Sequence, residues 1–589
     1  MAAAHNPPLE DHLKPYMLRA RRTFMFAWLF SFCSSLFMLA LPLYSLQVLD
    51  RVISSHSLET LFMLTLIIGV GIVFYGMFSA LRTSLLNQIG HWLDYALAPK
   101  LLEDAITKSS LGAYVNAAQH QRDLGSIKAF ITNVLGTLMD VPWSLVFLLV
   151  IYLISPALGF LTVIGMVILI AFGAINELAT KDIMQKASEE MLKSNQLADT
   201  ASRNADAVET MGMMQNIIAH WQRYQKPAGQ HAELGASRAN MVQSMAKVVR
   251  LFLQIAVTGI GAYLAMQNEL TVGGMIASSI LVGRALAPFE NAIGLWKGFI
   301  AGRESYHRLN TALATATLLE RGTLELPTPE GHISVENIIY TPPRGAPIIK
   351  GVTFHIRAGE SLGIIGPSAA GKSTLSKLIM GLLPPTHGAA RLDGAETFKW
   401  NRHNFGKYVG YMPQQVDLFS GTIKDNIARM DIDAPMEPVV EAAQMAGVHE
   451  MILRLPNGYE TQVDMMRASL SPGQRQRIGL ARALYGRPKF VLLDEPNTNL
   501  DGDGERALVS ALTRMKQAGI THIVVAHRPT IVSMVDKILV LKAGTVERFG
   551  PRDEVLRMYT PAGVPQVQPQ AATAEPQASL PHATEGGAI

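Results

Sequence analysis

Long uncharged apolar runs leave a chain few ways to fold, and this sequence holds several. Residues 23–46 and 61–81 each supply the roughly 20 residues needed for a helix to cross a hydrocarbon layer about 30 Å thick. Asp50, Arg51 and Glu59 lie in the short turn between them. A third stretch, 141–175, is too long for one crossing and is broken at Ser155, Pro156 and Ala157, which predicts two spans joined by a tight turn. The last pair, 248–266 and 272–288, is separated by Gln267, Asn268 and Glu269. The expected total is six spans. A composition of 49% hydrophobic and 17% charged residues over 589 positions agrees with a chain that is partly in lipid and too long for one core.

Between the second and third spans (82–139), and again between the fourth and fifth (176–247), lie polar stretches with helical patterning and most of the lysines and arginines. The bias of positive charge toward the cytoplasm places both there. Arg19, Arg21 and Arg22 put the N-terminal segment, residues 1–22, on the same side, together with everything after the last span. The first apolar run is too long for a cleavable signal and has no small-residue cleavage site after it, so it reads as a retained anchor. The net charge of +4 is therefore topological, and no aromatic-basic stripe points to nucleic acid. Cys33, the sole cysteine, sits in an apolar run as a small hydrophobe.

The membrane domain, 23–310, is expected to end in a linker, 311–332, where Pro327, Thr328, Pro329, Glu330 and Gly331 cluster. Residues 333–557 have the composition of a soluble α/β domain. The tail, 558–589, is rich in Pro, Ala and Gln and too poor in apolar residues to fold. The predicted fold class is thus a six-span α-helical membrane domain fused to an α/β phosphate-loop ATPase domain.

The apolar strand 361–365 leads into Gly366, Pro367, Ser368, Ala369, Ala370, Gly371, Lys372, Ser373 and Thr374, and a helical pattern follows. Strand, glycine-bearing loop and helix in this order form a phosphate-binding loop. Its glycines let backbone amides close on phosphates, Lys372 reaches the β- and γ-phosphates, and Ser373 can ligate Mg²⁺. A second apolar strand, 490–494, ends in Asp494 and Glu495. Asp494 can hold a Mg²⁺ shell and Glu495 can polarise a water for in-line attack on the γ-phosphate of ATP. Alone, a strand ending in acids is more often structural.

Between these two lies Leu470-Ser471-Pro472-Gly473-Gln474-Arg475-Gln476-Arg477. This peptide resembles the signature sequence of ATP-binding cassette proteins, and further matches follow in order. Gln414, in Tyr411-Met412-Pro413-Gln414-Gln415, matches the family's Mg²⁺-sensing glutamine. Asp501, in Asn499-Leu500-Asp501, matches the loop that couples the two sites of a dimer. His527, in Val525-Ala526-His527-Arg528, matches the histidine on the γ-phosphate. The resemblance implies a homodimer in which Ser471, Gly473 and Gln474 of one copy complete the nucleotide site of the other. Three departures stand out. Pro472 replaces a glycine, removing a donor and fixing φ near −65°. Asp464-Met465-Met466-Arg467 stands where exporters carry Gly-Glu-x-Gly. Tyr340, the candidate to stack on adenine, lies about two residues early, with Pro342 in the aromatic's usual place.

In the membrane half, Leu49-Asp50-Arg51-Val52, Asp140-Val141-Pro142-Trp143, the run from Arg284 to Pro288 and the run from Trp296 to Phe299 are similar to the type I secretion branch. Within that branch the resemblance is to transporters of metalloproteases, haem-binding proteins and S-layer proteins. It implies a multi-pass protein of the bacterial inner membrane with a cytoplasmic ATPase domain. Its cargo would be unfolded protein with a C-terminal secretion signal, passed on through a periplasmic membrane-fusion adaptor and an outer-membrane channel. Only about 22 residues precede the first span, which leaves no room for the peptidase-like domain of bacteriocin exporters. A lipid, drug or peptide exporter, or an ATP-binding gate with little turnover, are the competing readings. Arg284, ionisable and at membrane depth, is either lumen-facing or paired.

Overall fold

Backbone groups in hydrocarbon find no water, so apolar segments close their hydrogen bonds internally and form helices. The computed structural model describes residues 11–111, 117–317, 322, 325–343, 345–463, 470–526 and 528–559. The chain divides into two units, Met1–Leu319 and Glu320–Ile589. Helix α1 (Lys14–Met38) continues through Ala40–Gln47 and a π turn, Val48–Val52. Helix α2 (Leu58–Ser110) starts at Ser57, whose hydroxyl accepts from the Thr60 amide at 3.2 Å, a serviceable N-cap. Then come α3 (Ala117–Ala129), α4 (Ser144–Ile154), α5 (Pro156–Arg203), α6 (Met214–Met266), α7 (Val272–Gly294) and α8 (Trp296–Thr317). The 53 residues of α2 or α6 reach about 80 Å, far beyond a hydrocarbon layer, so the polar halves project from the membrane as rods.

Among the described residues five helices are long and apolar enough to cross a membrane: Lys14–Ser55, Leu58–Ser110, Pro156–Arg203, Met214–Met266 and Val272–Gly294. The predicted third span is shorter than its apolar run suggests. Only Ser144–Ile154 is helical, about 16 Å long, preceded by a turn over 139–143. Asp140 and Pro142 explain the break. The Asp140 carboxylate pairs with Arg82 and accepts from Ser31 Oγ at 2.6 Å, while Pro142 has no amide to donate. At Ser155 the backbone is extended (φ −155°) and Pro156 opens α5, so the tight turn lies where the sequence places it.

Two apolar cores hold this unit. One packs α4, α5, α6 and α7 around Ile151, Leu158, Leu169, Val257 and Leu281. The other packs α1, α2, α3 and α8 around Leu93, Leu97, Leu124 and Leu309. A small residue shapes the first: a Cβ at Gly165 would lie 2.5 Å from the Leu253 side chain, so glycine lets that side chain of α6 pack directly on the α5 backbone. Buried polar ties fix the register. Asp123 accepts from Arg308 at 2.6 Å and from Ser305 at 3.1 Å. Asp50, in the π turn, accepts from Thr271 Oγ1 at 2.6 Å and from the Gly273 amide at 2.9 Å, capping the start of α7.

The second unit carries a six-stranded sheet ordered β12-β11-β3-β10-β9-β6. Its strands are β3 (Ser361–Ile365), β6 (Val409–Met412), β9 (Phe490–Asp494), β10 (Thr521–Val525), β11 (Lys537–Lys542) and β12 (Thr545–Pro551). All neighbours are parallel except the edge strand β12. Burial on both faces accounts for the apolar runs 490–493 of β9 and 523–525 of β10. A smaller antiparallel sheet joins β1 (Ile333–Tyr340), β2 (Ile349–Ile356), β4 (His387–Leu392) and β5 (Ala395–Glu396). Val525 pairs with both Ile364 and Asp494, so the carboxyl ends of β3, β10 and β9 lie abreast. Ligands of open α/β sheets bind at such an edge.

Candidate nucleotide site

The loop after β3 runs into α9 (Lys372–Ile379). Gly366, Ala369 and Gly371 all have positive φ (154°, 63° and 99°), which folds the loop back on itself at the start of α9. At Gly366 a Cβ would lie 2.1 Å from the Leu541 carbonyl oxygen, so only glycine fits. The loop walls a cavity of about 480 Å³, lined also by Ile348, Gln414 and Glu495. A helix N-terminus and free amides favour an anion there. A cavity of about 550 Å³ near Pro327, Leu392 and Trp400 has no such loop, and its charged lining is acidic apart from His332.

Lys372 is buried, and its Nζ donates to the Gly366 and Pro367 carbonyls at 2.9 and 3.0 Å. Burial pushes the Lys372 pKa down, against the opposing pull of Glu495 and Asp494. Ser373 Oγ stands 3.5 Å from Asp494 Oδ1. Asp494 is 2% exposed, and burial, reinforced by the Glu495 charge, raises its carboxyl above the ordinary carboxylate range. A hydroxyl and a buried carboxylate are the hard-oxygen donors that Mg²⁺ takes, so these residues fit the ion. Gln414 Nε2 donates to Glu495 Oε2 at 2.9 Å, joining the ends of β6 and β9. Glu495 itself has φ 49°, a strained conformation for a non-glycine, held by its amide on the Val525 carbonyl at 3.0 Å.

Asp494 therefore opposes folding at neutral pH. Its folded pKa lies above its unfolded one, so stability falls as pH rises through that interval and stays lowered above it. Asp494→Asn is expected to raise the thermal midpoint of the nucleotide-free protein by about 2–4 °C, the shift that ~1 kcal/mol gives a domain of this size, while removing Mg²⁺-dependent turnover. Calorimetry without nucleotide checks this, and a lowered midpoint would mean that the carboxylate stabilises the fold.

The signature serine is a helix cap. Ser471 Oγ accepts from the Gln474 amide at 3.2 Å, and Gln474 Oε1 accepts from the Ser471 amide at 2.8 Å, a reciprocal capping box on α10 (Pro472–Leu484). Pro472 is the first helical residue, where the missing donor has no intrahelical partner to lose and the fixed φ suits the helix. Gly473 fits close to the Asn499 carbonyl, 2.9 Å from where a Cβ would stand. Asp501 caps α11 (Gly502–Gln517) through the Gly504 amide at 2.8 Å and pairs with Arg477 at 3.2 Å. Gln476, given no role from sequence, is buried and bridges these parts. Its Nε2 donates to the Glu495 carbonyl at 3.3 Å and its Oε1 accepts from the Asn499 amide at 3.1 Å. A glutamine among arginines carries no signal of burial, so only the fold reveals it.

Ser471, Gly473 and Gln474 do not line the cavity of their own chain, and neither does Tyr340. Tyr340 ends β1, its carbonyl accepting from the Ile348 amide at 2.9 Å, and Ile348 supplies the wall instead. His527 and residues 464–467 lie outside the described residues, as do the tail beyond residue 559 and parts of the expected linker.

Comparison with known proteins agrees with this geometry. The family models for ABC transporters and for the ABC transporter transmembrane region match residues 349–498 and 24–286. The type I secretion system ATP-binding protein PrsD of Rhizobium meliloti (strain 1021) is 39% identical over 517 residues, 87% of this chain and 88% of that protein. The leukotoxin translocation ATP-binding protein LktB of Bibersteinia trehalosi is 29% identical over 563 residues, 92% of this chain and 77% of that protein. A bacterial Atm1-family ABC exporter, solved with ATP bound, has the same fold at a TM-score of 0.79 and 21% identity, covering 91% of this chain and 97% of its own. With a phosphate loop, an acidic strand end and a capped signature helix in one unit, membrane helices in the other, and relatives matching along most of its length, the chain belongs to the ATP-binding cassette transporters of type I secretion systems.

Proposed function

We propose that this chain is the ATP-hydrolysing motor that drives protein export across the bacterial inner membrane in a type I secretion system. The observation that carries the reading is the convergence of Lys372, Ser373, Asp494, Gln414 and Glu495 at one sheet edge of a chain whose other unit is built of membrane helices. Lys372 holds the β- and γ-phosphates of ATP in the loop, and Glu495 orients and polarises the attacking water, steadied by Gln414. Ser373, Asp494 and Gln414 would hold Mg²⁺, which neutralises charge on the phosphates when bound. His527, which follows β10 in the sequence, contacts the γ-phosphate.

The working unit is a homodimer. Ser471, Gly473 and Gln474 sit at a helix N-terminus that does not line the phosphate-loop cavity of its own chain, and in the dimer they close over the partner's ATP. Asp501, tied to Arg477 beside that helix, couples the two sites. The ATPase unit is cytoplasmic. The cargo is unfolded protein with a C-terminal secretion signal, handed to a periplasmic membrane-fusion adaptor and an outer-membrane channel.

The test is ATPase activity of the purified protein in lipid, with synthetic C-terminal peptides of proteins encoded nearby and Lys372→Ala as control. Modulation by one peptide, lost in the control, supports export of protein. Robust hydrolysis indifferent to every peptide turns the reading toward a lipid or drug exporter, and no hydrolysis at all turns it toward a gate.

A further inference from the structure

Helix α7 is sheathed by its neighbours, with Ala277, Leu281, Val282, Ala285 and Leu286 fully buried. Arg284 is exposed on it, and so is Asn291, two turns further along the same face. Contacts along the antiparallel pair α6 and α7 fix their depth. Gly283 lies against Gln254, 3.6 Å from where a Cβ would stand, and Gly294 lies against Gln243. At the same level Gly165 of α5 meets Leu253 and Leu286. Gly165 is nine residues, about 14 Å, into an apolar run that starts at the outer turn beside Pro156, so Arg284 sits near the middle of a layer about 30 Å thick. A side chain at that depth cannot snorkel to either surface.

A guanidinium there needs water or a counter-charge. Arg82 and Arg250 have theirs in Asp140 and Glu290, but Arg284 makes no hydrogen bond or ion pair among the described residues. A second copy brings no spare acid to this depth. Asp50, Asp140 and Glu290 are engaged in every copy, and Glu59, Glu177 and Glu269 lie at the ends of their apolar runs. Water remains. We propose that Arg284 lines the hydrated route of the exported polypeptide and attracts its acidic side chains as they pass, with Asn291, Gln254 and Gln243 extending the polar strip. This rests on the export reading above.

The test uses the full-length protein in proteoliposomes, with Cys33→Ala removing the sole native thiol. Arg284→Cys is expected to react with a water-soluble charged thiosulfonate, because the nucleophile is the thiolate and lipid excludes it. An inert thiol in that variant would place the position against lipid and overturn the proposal. Occupancy is then read at Asn291→Cys with Arg284 intact. A disordered Asp/Gly/Ser polypeptide ending in the C-terminal peptide that modulates ATPase activity, added with ATP, is expected to protect that thiol at roughly tenfold lower concentration than its Asn/Gly/Ser counterpart with the same ending, the scale of one charge-assisted contact. Adding Arg284→Gln should erase the preference and Arg284→Lys should keep it. Equal protection by both polypeptides, no protection by either, or a preference that survives Arg284→Gln would each overturn the assignment. Failure of the export reading appears elsewhere, as wild-type ATPase activity indifferent to every C-terminal peptide.

Discussion

Replacing Glu495 by Gln is expected to lower ATP turnover by about 10²–10⁴-fold, the usual contribution of a positioned base, while leaving ATP binding intact. The amide is isosteric with the carboxylate, and its oxygen can still accept from Gln414 Nε2, now at 2.9 Å from Glu495. The left-handed backbone at position 495 is no harder for Gln than for Glu, and its anchors are main-chain groups: the amide on Val525 and the carbonyl accepting from Gln476. What disappears is the negative charge that polarises water. Steady-state hydrolysis beside equilibrium binding of labelled ATP separates the two effects, and undiminished hydrolysis would remove Glu495 as the base.

Lys372→Ala is expected to fail one step earlier, losing tight ATP binding and lowering kcat/KM by at least about 100-fold, as when a preorganised donor to developing charge is removed. The ammonium group is parked on the Gly366 and Pro367 carbonyls, already inside the loop that phosphates would fill. Truncation deletes the cation and leaves those two carbonyls without that donor, so the loop loses shape as well as charge. The same binding assay distinguishes the variants: Glu495→Gln should hold ATP that Lys372→Ala does not. Equal retention by both would mean that the loop amides alone bind the nucleotide.

The sequence revealed those parts of the site whose chemistry is contiguous. Gly366 to Thr374 follow a strand and open a helix, and Asp494 and Glu495 end another, so spacing alone declares them. The contact between Gln414 and Glu495 and the bridge through Gln476 depend on which strands lie side by side, and no local pattern encodes that order. Pro472 looked like a defect in the signature because its position relative to the helix start was hidden; at the first helical residue it is a good fit. In the membrane unit, hydropathy found the apolar runs but overstated the third, since Asp140 and Pro142 interrupt a helix that composition alone would extend. Hydropathy says nothing of pairing either, and the bonds of Asp140 to Arg82, Asp123 to Ser305 and Asp50 to Gly273 span 58, 182 and 223 residues.

The contact between Asp50 and the start of α7 also bears on the order of assembly. Thr271 and Gly273, which Asp50 holds, are synthesised more than 200 residues after it. At about 5–20 residues per second, roughly ten to forty seconds separate the two on the ribosome. Through that interval the end of the first helix sits at the membrane surface with its carboxylate in water or headgroups and nothing to cap. The first hairpin therefore waits in the bilayer as a provisional insertion. It gains its tie to α7 only when residues 271–273 arrive, so a chain that stalls before residue 271 leaves Asp50 without these two donors.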